Sequence, residues 1–542
     1  MAAPEAQDPE ADRPGSDRPS ADPGGRGAAL IAPLLTGLAV GAVAASVAFL
    51  AFGSPGPGAS APSSASGPGS TTGAESAEEP PRSAARLSLP EHTRWIAAGG
   101  GAEPASNQVS LEQDLLLARE ALGPDGVLLH GGGAGVDGVQ VAASASDPRA
   151  DGDPVLLRLG DLLDPRDGRE ARYRPSRIEG AGAATIEHLR RALASALAED
   201  SSEPLLLYLA GHGEPGEVPR DNLVRLWGGW GLTTAELAET LDRDGAGRRV
   251  RVIIAACFSG GFAELAFAEA DAEQGAAPTD RCGLFATTWD RESSGCDPNP
   301  SRDAQEGYSL HFLHALRGED REGRRLPGPE LDLDSDGRVS LLEAHTRARI
   351  ESMSIDVPTT TSEEWLRSVA PERGPVAEVS LPEEEAVVHA LSERLGTDGR
   401  DAVAARLDEI ARLREEQEPR LSALEDEADA RWATLRIGLL ERWPVLDDPF
   451  HPAFQTTLRE GRGAIERYLF DSPEALAWAT ARRALEGSPD GGDPRREVEE
   501  SHLLRLARAQ NTLRLASLLR AQGGESWARY ARFLACERSG PP

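Results

Sequence analysis

Two apolar runs near the middle of the chain end on reactive side chains: Leu205-Leu-Leu-Tyr-Leu-Ala-Gly-His212-Gly213 and Val252-Ile-Ile-Ala-Ala-Cys257-Phe-Ser259-Gly260. Each run is too short for a helix and is bounded by small turn residues. Each therefore predicts a buried strand whose last side chain emerges at its carboxyl end. Residues 94–98, 126–130 and 282–289 predict further strands. Between them, apolar positions recur at helical spacing over 111–122, 185–197, 234–241 and 308–316. The stretch 134–182 is rich in Asp, Gly and Pro and predicts loop. This alternation places 89–325 in the α/β class, with a mostly parallel sheet covered by helices on both faces.

The pattern changes at both ends. From about 376 strand signals vanish, and Ala, Leu, Glu and Arg dominate. Leu421, Leu424, Ala428, Trp432, Leu435, Leu439 and Trp443 form one helical stripe, and more helices are expected at 453–469, 473–485, 498–519 and 525–534. Pro419, Pro444 and Pro473 should punctuate them. The region 376–542 thus reads as an all-α unit that restrains its neighbour or recruits a protein partner. At the other end, residues 1–27 are polar and acidic, 28–52 carry no charge, and 53–88 are dominated by Ser, Gly, Pro and Ala. The uncharged stretch is long enough to span a bilayer. Arg13, Arg18 and Arg26 precede it and the next cation is Arg82, so the bias orients the N-terminus inward and the rest outward. A cleaved signal peptide is the rival reading.

The net charge of −32 argues against a nucleic-acid partner. No lysine occurs, which GC-rich coding explains as well as any function. Four cysteines are too few for a disulfide scaffold. Cys282 and Cys296 either pair in an oxidising compartment, tying down the loop between them, or remain two free buried thiols, and the sequence leaves both readings open.

A thiol needs a nearby base or cation to become nucleophilic near neutral pH, and His212 is placed to supply it to Cys257. Here the chain resembles the legumain and caspase clan of cysteine peptidases. That group carries a His-Gly after one strand and an Ala-Cys after the next. The stretch Ala286-Thr-Thr-Trp-Asp-Arg-Glu-Ser-Ser-Gly-Cys296 followed by Gly307-Tyr-Ser-Leu-His311 is similar to the legumain branch. The resemblance covers about 90–320. It implies a three-layer α/β/α caspase-like sandwich, Cys257 as nucleophile and His212 as general base and acid. It also implies an oxyanion hole from the N–H groups of Gly213 and Cys257, and a substrate pocket near Ser293, Ser294, Glu306 and Ser110. Legumains have a Glu where Ala255 stands, and their specificity Arg has no counterpart, with Gln108 or Ser110 in its place. A pocket with Glu306 and no such Arg points to a basic scissile residue.

A second motif runs Asp332-Leu-Asp334-Ser-Asp336-Gly337-Arg338-Val339-Ser340-Leu-Leu-Glu343. It fits a twelve-residue calcium loop, with carboxylates at positions one, three, five and twelve, Gly at six and a backbone carbonyl at Arg338. A helix over 341–350 follows it, and Pro327 and Pro329 rule out one before it. The segment 326–375 thus resembles half an EF-hand with a structural Ca2+. No zinc-ligand spacing and no organic cofactor is expected. The leading expectation is a membrane-tethered cysteine endopeptidase acting on proteins or peptides outside the cytoplasm. The alternative is a degenerate peptidase fold that binds or scaffolds.

Overall fold

A computed structural model of the chain describes residues 92–142, 153–163, 171–397, 399–449, 451–488 and 494–541. The expected tail, membrane anchor and linker at 1–88 lie outside the described residues. Among those described, no helix is long and apolar enough to cross a membrane.

The strands are β1 (Trp95–Gly100), β2 (Gly126–His130), β3 (Asp137–Ala142), β4 (Ala171–Pro175), β5 (Leu205–Gly211), β6 (Gly213–Glu214), β7 (Leu223–Arg225), β8 (Gly231–Thr233), β9 (Val250–Ala255), β10 (Arg281–Phe285) and β11 (Thr359–Thr360). The first helices are α1 (Val109–Leu122), α2 (Pro154–Leu163), α3 (Ile186–Leu197), α4 (Thr234–Asp244), α5 (Tyr308–Leu316), α6 (Leu341–Glu351) and α7 (Thr361–Val369). The C-terminal region follows as α8 (Pro382–Leu395), α9 (Arg400–Arg442), α10 (Phe454–Asp471), α11 (Pro473–Glu486), α12 (Pro494–Gln522) and α13 (Gly524–Glu537).

The main sheet has six strands in the order β11-β10-β9-β5-β1-β2, parallel except for β11. Period-two alternation divides its side chains between two cores. Ile96, Leu207, Leu209, Val252 and Ile254 pack with α3 and α4, while Ala97, Leu206, Tyr208, Ile253 and Leu284 pack with α1, α5 and α6. The fold class read from the pattern is therefore observed: an α/β domain with a mostly parallel sheet, followed by a helical region.

Three expectations are corrected. Residues 134–182 are not simply loop, since they hold β3, β4 and α2. Turn-rich composition hid them, and β3 and β4 satisfy each other as a separate antiparallel pair. Pro419 does not end a helix. It lies exposed inside α9, where the carbonyl that loses its bond can turn to water. Cys282 pairs with Cys536, not Cys296, joining β10 to α13 with a Cα–Cα distance of 6.1 Å.

The C-terminal helices share cores with the sheet domain. Leu515, Leu519, Tyr530 and Phe533 pack with Phe267, Trp365 and Leu366. Helices α9 to α11 enclose α2, and the Trp432 indole donates to the Leu162 carbonyl at 3.1 Å.

Candidate active site

Chain order β1, β2, then β5 on the far side of β1 makes the β1/β5 boundary a switch point. Open α/β sheets form their crevices at such points, beyond the carboxyl ends of the strands. The loops after β1, β5, β9 and β10 meet at that edge. The parallel register Ala210↔Ala255 brings His212 and Cys257 out at the same level of adjacent strands. Gly213 lies so close to the Cys257 main chain that a Cβ there would sit 1.9 Å from the Cys257 carbonyl oxygen. Only glycine permits this approach.

His212 Nε2 lies 2.8 Å from the Ser106 carbonyl and 3.0 Å from Gln108 Oε1. Both partners are acceptors, so Nε2 carries the hydrogen and Nδ1 is the basic nitrogen of the neutral ring. Burial lowers the His212 pKa, against the Ser106 carbonyl and Glu214, which favour the cation. Burial raises the Cys257 pKa. The Ser293 N–H opposes it, and the Glu292 and Asp356 carboxylates add to it. The resting pair is thus thiol and neutral imidazole, which fits proton transfer at the moment of attack rather than a standing ion pair.

The residue after Cys257 is held in the left-handed region: Phe258 has φ 58°. Its N–H donates to the Arg291 carbonyl at 2.7 Å, and its carbonyl accepts from Asn222 Nδ2 at 2.8 Å. The same buried Asn222 donates to the Trp289 carbonyl at 2.6 Å and accepts from the Gly216 N–H at 2.8 Å. One amide thus ties the histidine loop, the cysteine turn and the loop after β10, and over-determines a strained backbone. The sequence reading missed Asn222 because nothing near it repeats or matches a motif.

A narrow recess, with room for little more than a water molecule, lies behind the thiol, lined by Cys257, Ser293, Ser294, Cys296, Ser309 and Asp114, among others. Ser293 and Ser294 are where expected. Glu306 does not line this recess. It binds His311 Nε2 at 2.6 Å, Ser352 Oγ at 3.1 Å and the Arg321 guanidinium. Ser110 is buried in fastening α1 to the loop, accepting from the Asp297 N–H at 2.8 Å. The carboxylate in the recess is Asp114, on α1. It pairs with Arg302 at 2.8 Å, and burial raises its pKa. Its apolar helical setting concealed it among core positions.

The recess wall is held from behind. The buried Asp356 carboxylate accepts the Ser294 N–H at 2.7 Å and the Tyr308 N–H at 2.9 Å. Arg505 of α12 donates to the carbonyls of Asp356 (2.7 Å), Ser352 (2.7 Å), Ser354 (2.9 Å) and Arg349 (3.1 Å).

In the acidic loop, carboxylate oxygens of Asp332, Asp334 and Glu343 lie within 4.8 Å of one another. Asp336 stands outside that group and accepts the Arg338 N–H at 2.8 Å. Glu343 caps α6, accepting from the Ser340 N–H at 2.8 Å and the Leu333 N–H at 2.6 Å. Only a short turn, Gly328–Glu330, precedes the loop, as the prolines required. Neither a family model nor a curated protein matches this sequence.

Proposed function

We propose that this chain is a membrane-tethered cysteine endopeptidase resembling legumain, built on a three-layer caspase-like sandwich. Cys257 attacks the scissile carbonyl, His212 takes the thiol proton, and the leaving amine receives that proton as the acyl-enzyme forms. Water then releases the acyl group with His212 acting as base. The N–H groups of Gly213 and Cys257 would stabilise the oxyanion. One observation carries this reading: adjacent parallel strands bring a thiol and an imidazole out at one level, with the imidazole tautomer set by Ser106 and Gln108. Covalent labelling by a thiol-reactive peptide analogue tests it. The full chain should be labelled once, and Cys257→Ala should not.

The Cys282–Cys536 disulfide favours an oxidising compartment, which agrees with a catalytic domain displayed outside the cytoplasm. Deleting residues 1–53 should move the protein from the membrane to the soluble fraction. Persistence of the shortened chain in washed membranes would remove the anchor reading.

Calcium fits the donor set of the acidic loop: hard carboxylate oxygens, three already gathered. Asp332, Asp334, Asp336 and Glu343 would hold the ion with the Arg338 carbonyl. Its charge would relieve repulsion among carboxylates. Binding to the folded form alone raises the melting temperature with calcium concentration. The rise should shrink in Glu343→Gln, and identical melts with calcium and with chelator would exclude the site.

A further inference from the structure

A second and larger cavity adjoins the loop after β10. Its empty volume is about 1020 Å3, and its wall includes Pro219, Gly260, Glu264, Trp289, Arg367 and Arg508. Gly260 is three residues beyond the nucleophile. The Thr288–Arg291 part of the loop lines this cavity, while Ser293, Ser294 and Cys296 line the narrow recess. A polypeptide held at Cys257 therefore has this cavity as its neighbour.

The charges in the wall are unequally committed. Arg508 donates to Thr359 Oγ1 at 2.6 Å and to Glu363 at 2.9 Å. Arg367 is paired with Glu364 and lies 3.7 Å from Glu363. Asp290 accepts from the Thr288 hydroxyl at 2.7 Å. Among the described residues, no hydrogen bond or ion pair engages the Glu264 carboxylate, which is half-buried in the wall. The Arg367 and Arg508 guanidiniums in the wall are taken up by Glu364 and by Glu363 just behind it, which leaves Glu264 without a cationic partner. Burial and the nearby Glu364 and Asp271 push Glu264 up to about 8, against the pull of Arg367. Among the described residues, no hydrogen bond or ion pair engages the Arg291 guanidinium, which also lines the cavity. The remaining wall is apolar, from Trp289, Val357 and Leu504.

An aliphatic stem ending in a cation, attached to a main-chain carbonyl, complements all three features. The stem lies on the apolar wall, the cation meets Glu264, and the carbonyl accepts from Arg291. We propose that this cavity is a second recognition subsite, taking an arginine or lysine side chain of the substrate at a position other than the scissile residue, with Glu264 as counter-ion. This rests on the peptidase reading above.

The test is calorimetric binding of N-acetyl-arginine amide to full-length Cys257→Ala at about pH 7, in two buffers of different ionisation enthalpy. Glu264 is mostly protonated at that pH, so cation entry should expel its proton and the apparent enthalpy should depend on the buffer. Adding Glu264→Gln should weaken binding roughly tenfold and abolish the buffer dependence. The uncharged citrulline analogue should bind both forms equally weakly. Adding Asp114→Asn in place of Glu264→Gln should change little. Binding insensitive to Glu264→Gln, binding lost only in Asp114→Asn, or no binding at all would each overturn the subsite. Cleavage does not enter the measurement. A protein that binds the probe through Glu264 yet hydrolyses nothing would overturn the peptidase reading alone.

Discussion

Cys257→Ala should abolish peptide hydrolysis and thiol labelling while leaving the melting temperature almost unchanged. The Sγ atom contributes little to stability, since its contacts with Ser293 are weak, at 3.3 and 3.5 Å. His212→Ala retains the thiol and should lower hydrolysis by roughly three or more orders of magnitude, because a nucleophile and its base act as one unit. Gln108→Ala is milder, because the Ser106 carbonyl still holds the Nε2 hydrogen. The pH profile carries a second signature. Burial lowers the His212 pKa, so the acid limb of kcat/KM should fall below the ordinary histidine value of about 6.5. The Cys257 thiol is shifted upward, so alkylation by iodoacetamide should still be rising where an ordinary cysteine has levelled off. Undiminished hydrolysis by purified Cys257→Ala would falsify the mechanism.

Arg505→Met should cost stability and substrate affinity together. The guanidinium is 1 % exposed and donates to four main-chain carbonyls between Arg349 and Asp356. Methionine fills similar space but removes all four bonds, leaving the Ser352 and Ser354 carbonyls only His502 and Ser501, a loss of about 3–5 kcal/mol by analogy with breaking a buried charged network. Chemical denaturation should show it as a lower midpoint. The same segment carries the Asp356 carboxylate that holds the Ser294 and Tyr308 N–H groups, so the recess wall loosens. KM should therefore rise more than kcat falls, and Arg505→Lys should recover part of both. A stability loss with unchanged KM would confine Arg505 to a scaffold role.

Much of the sheet and the dyad were legible in the sequence because each depends on local pattern. A fully buried parallel strand must be a short apolar run, and a reactive side chain at its end is conspicuous. The helix over 308–316 and the strand over 126–130 follow from the same logic. What escaped depends on distant partners. Cys536 is 254 residues from Cys282, and no spacing rule reaches that far. Asp114, Asp356 and Arg505 are single polar residues within apolar surroundings, with nothing in their own segments to mark them. Glu306 misled for the converse reason: its place beside Gly307 and Tyr308 matched a motif, while His311 and Arg321 claimed its carboxylate.

The stitching of the last residues into the sheet domain has a consequence for biosynthesis. Besides the Cys282–Cys536 bond, the Gly540 carbonyl accepts from Arg251 at 2.5 Å, and the Ser539 carbonyl accepts from the Leu341 N–H at 3.0 Å. Arg251 lies in the strand that leads to Cys257, and Leu341 opens the helix after the acidic loop. A nascent chain therefore exposes both dyad residues long before these fastenings exist. These fastenings form only after residues 536–540 have been synthesised. A chain that lacks residues 536–540 would therefore lack the clasp that ties β10, Arg251 and α6 together.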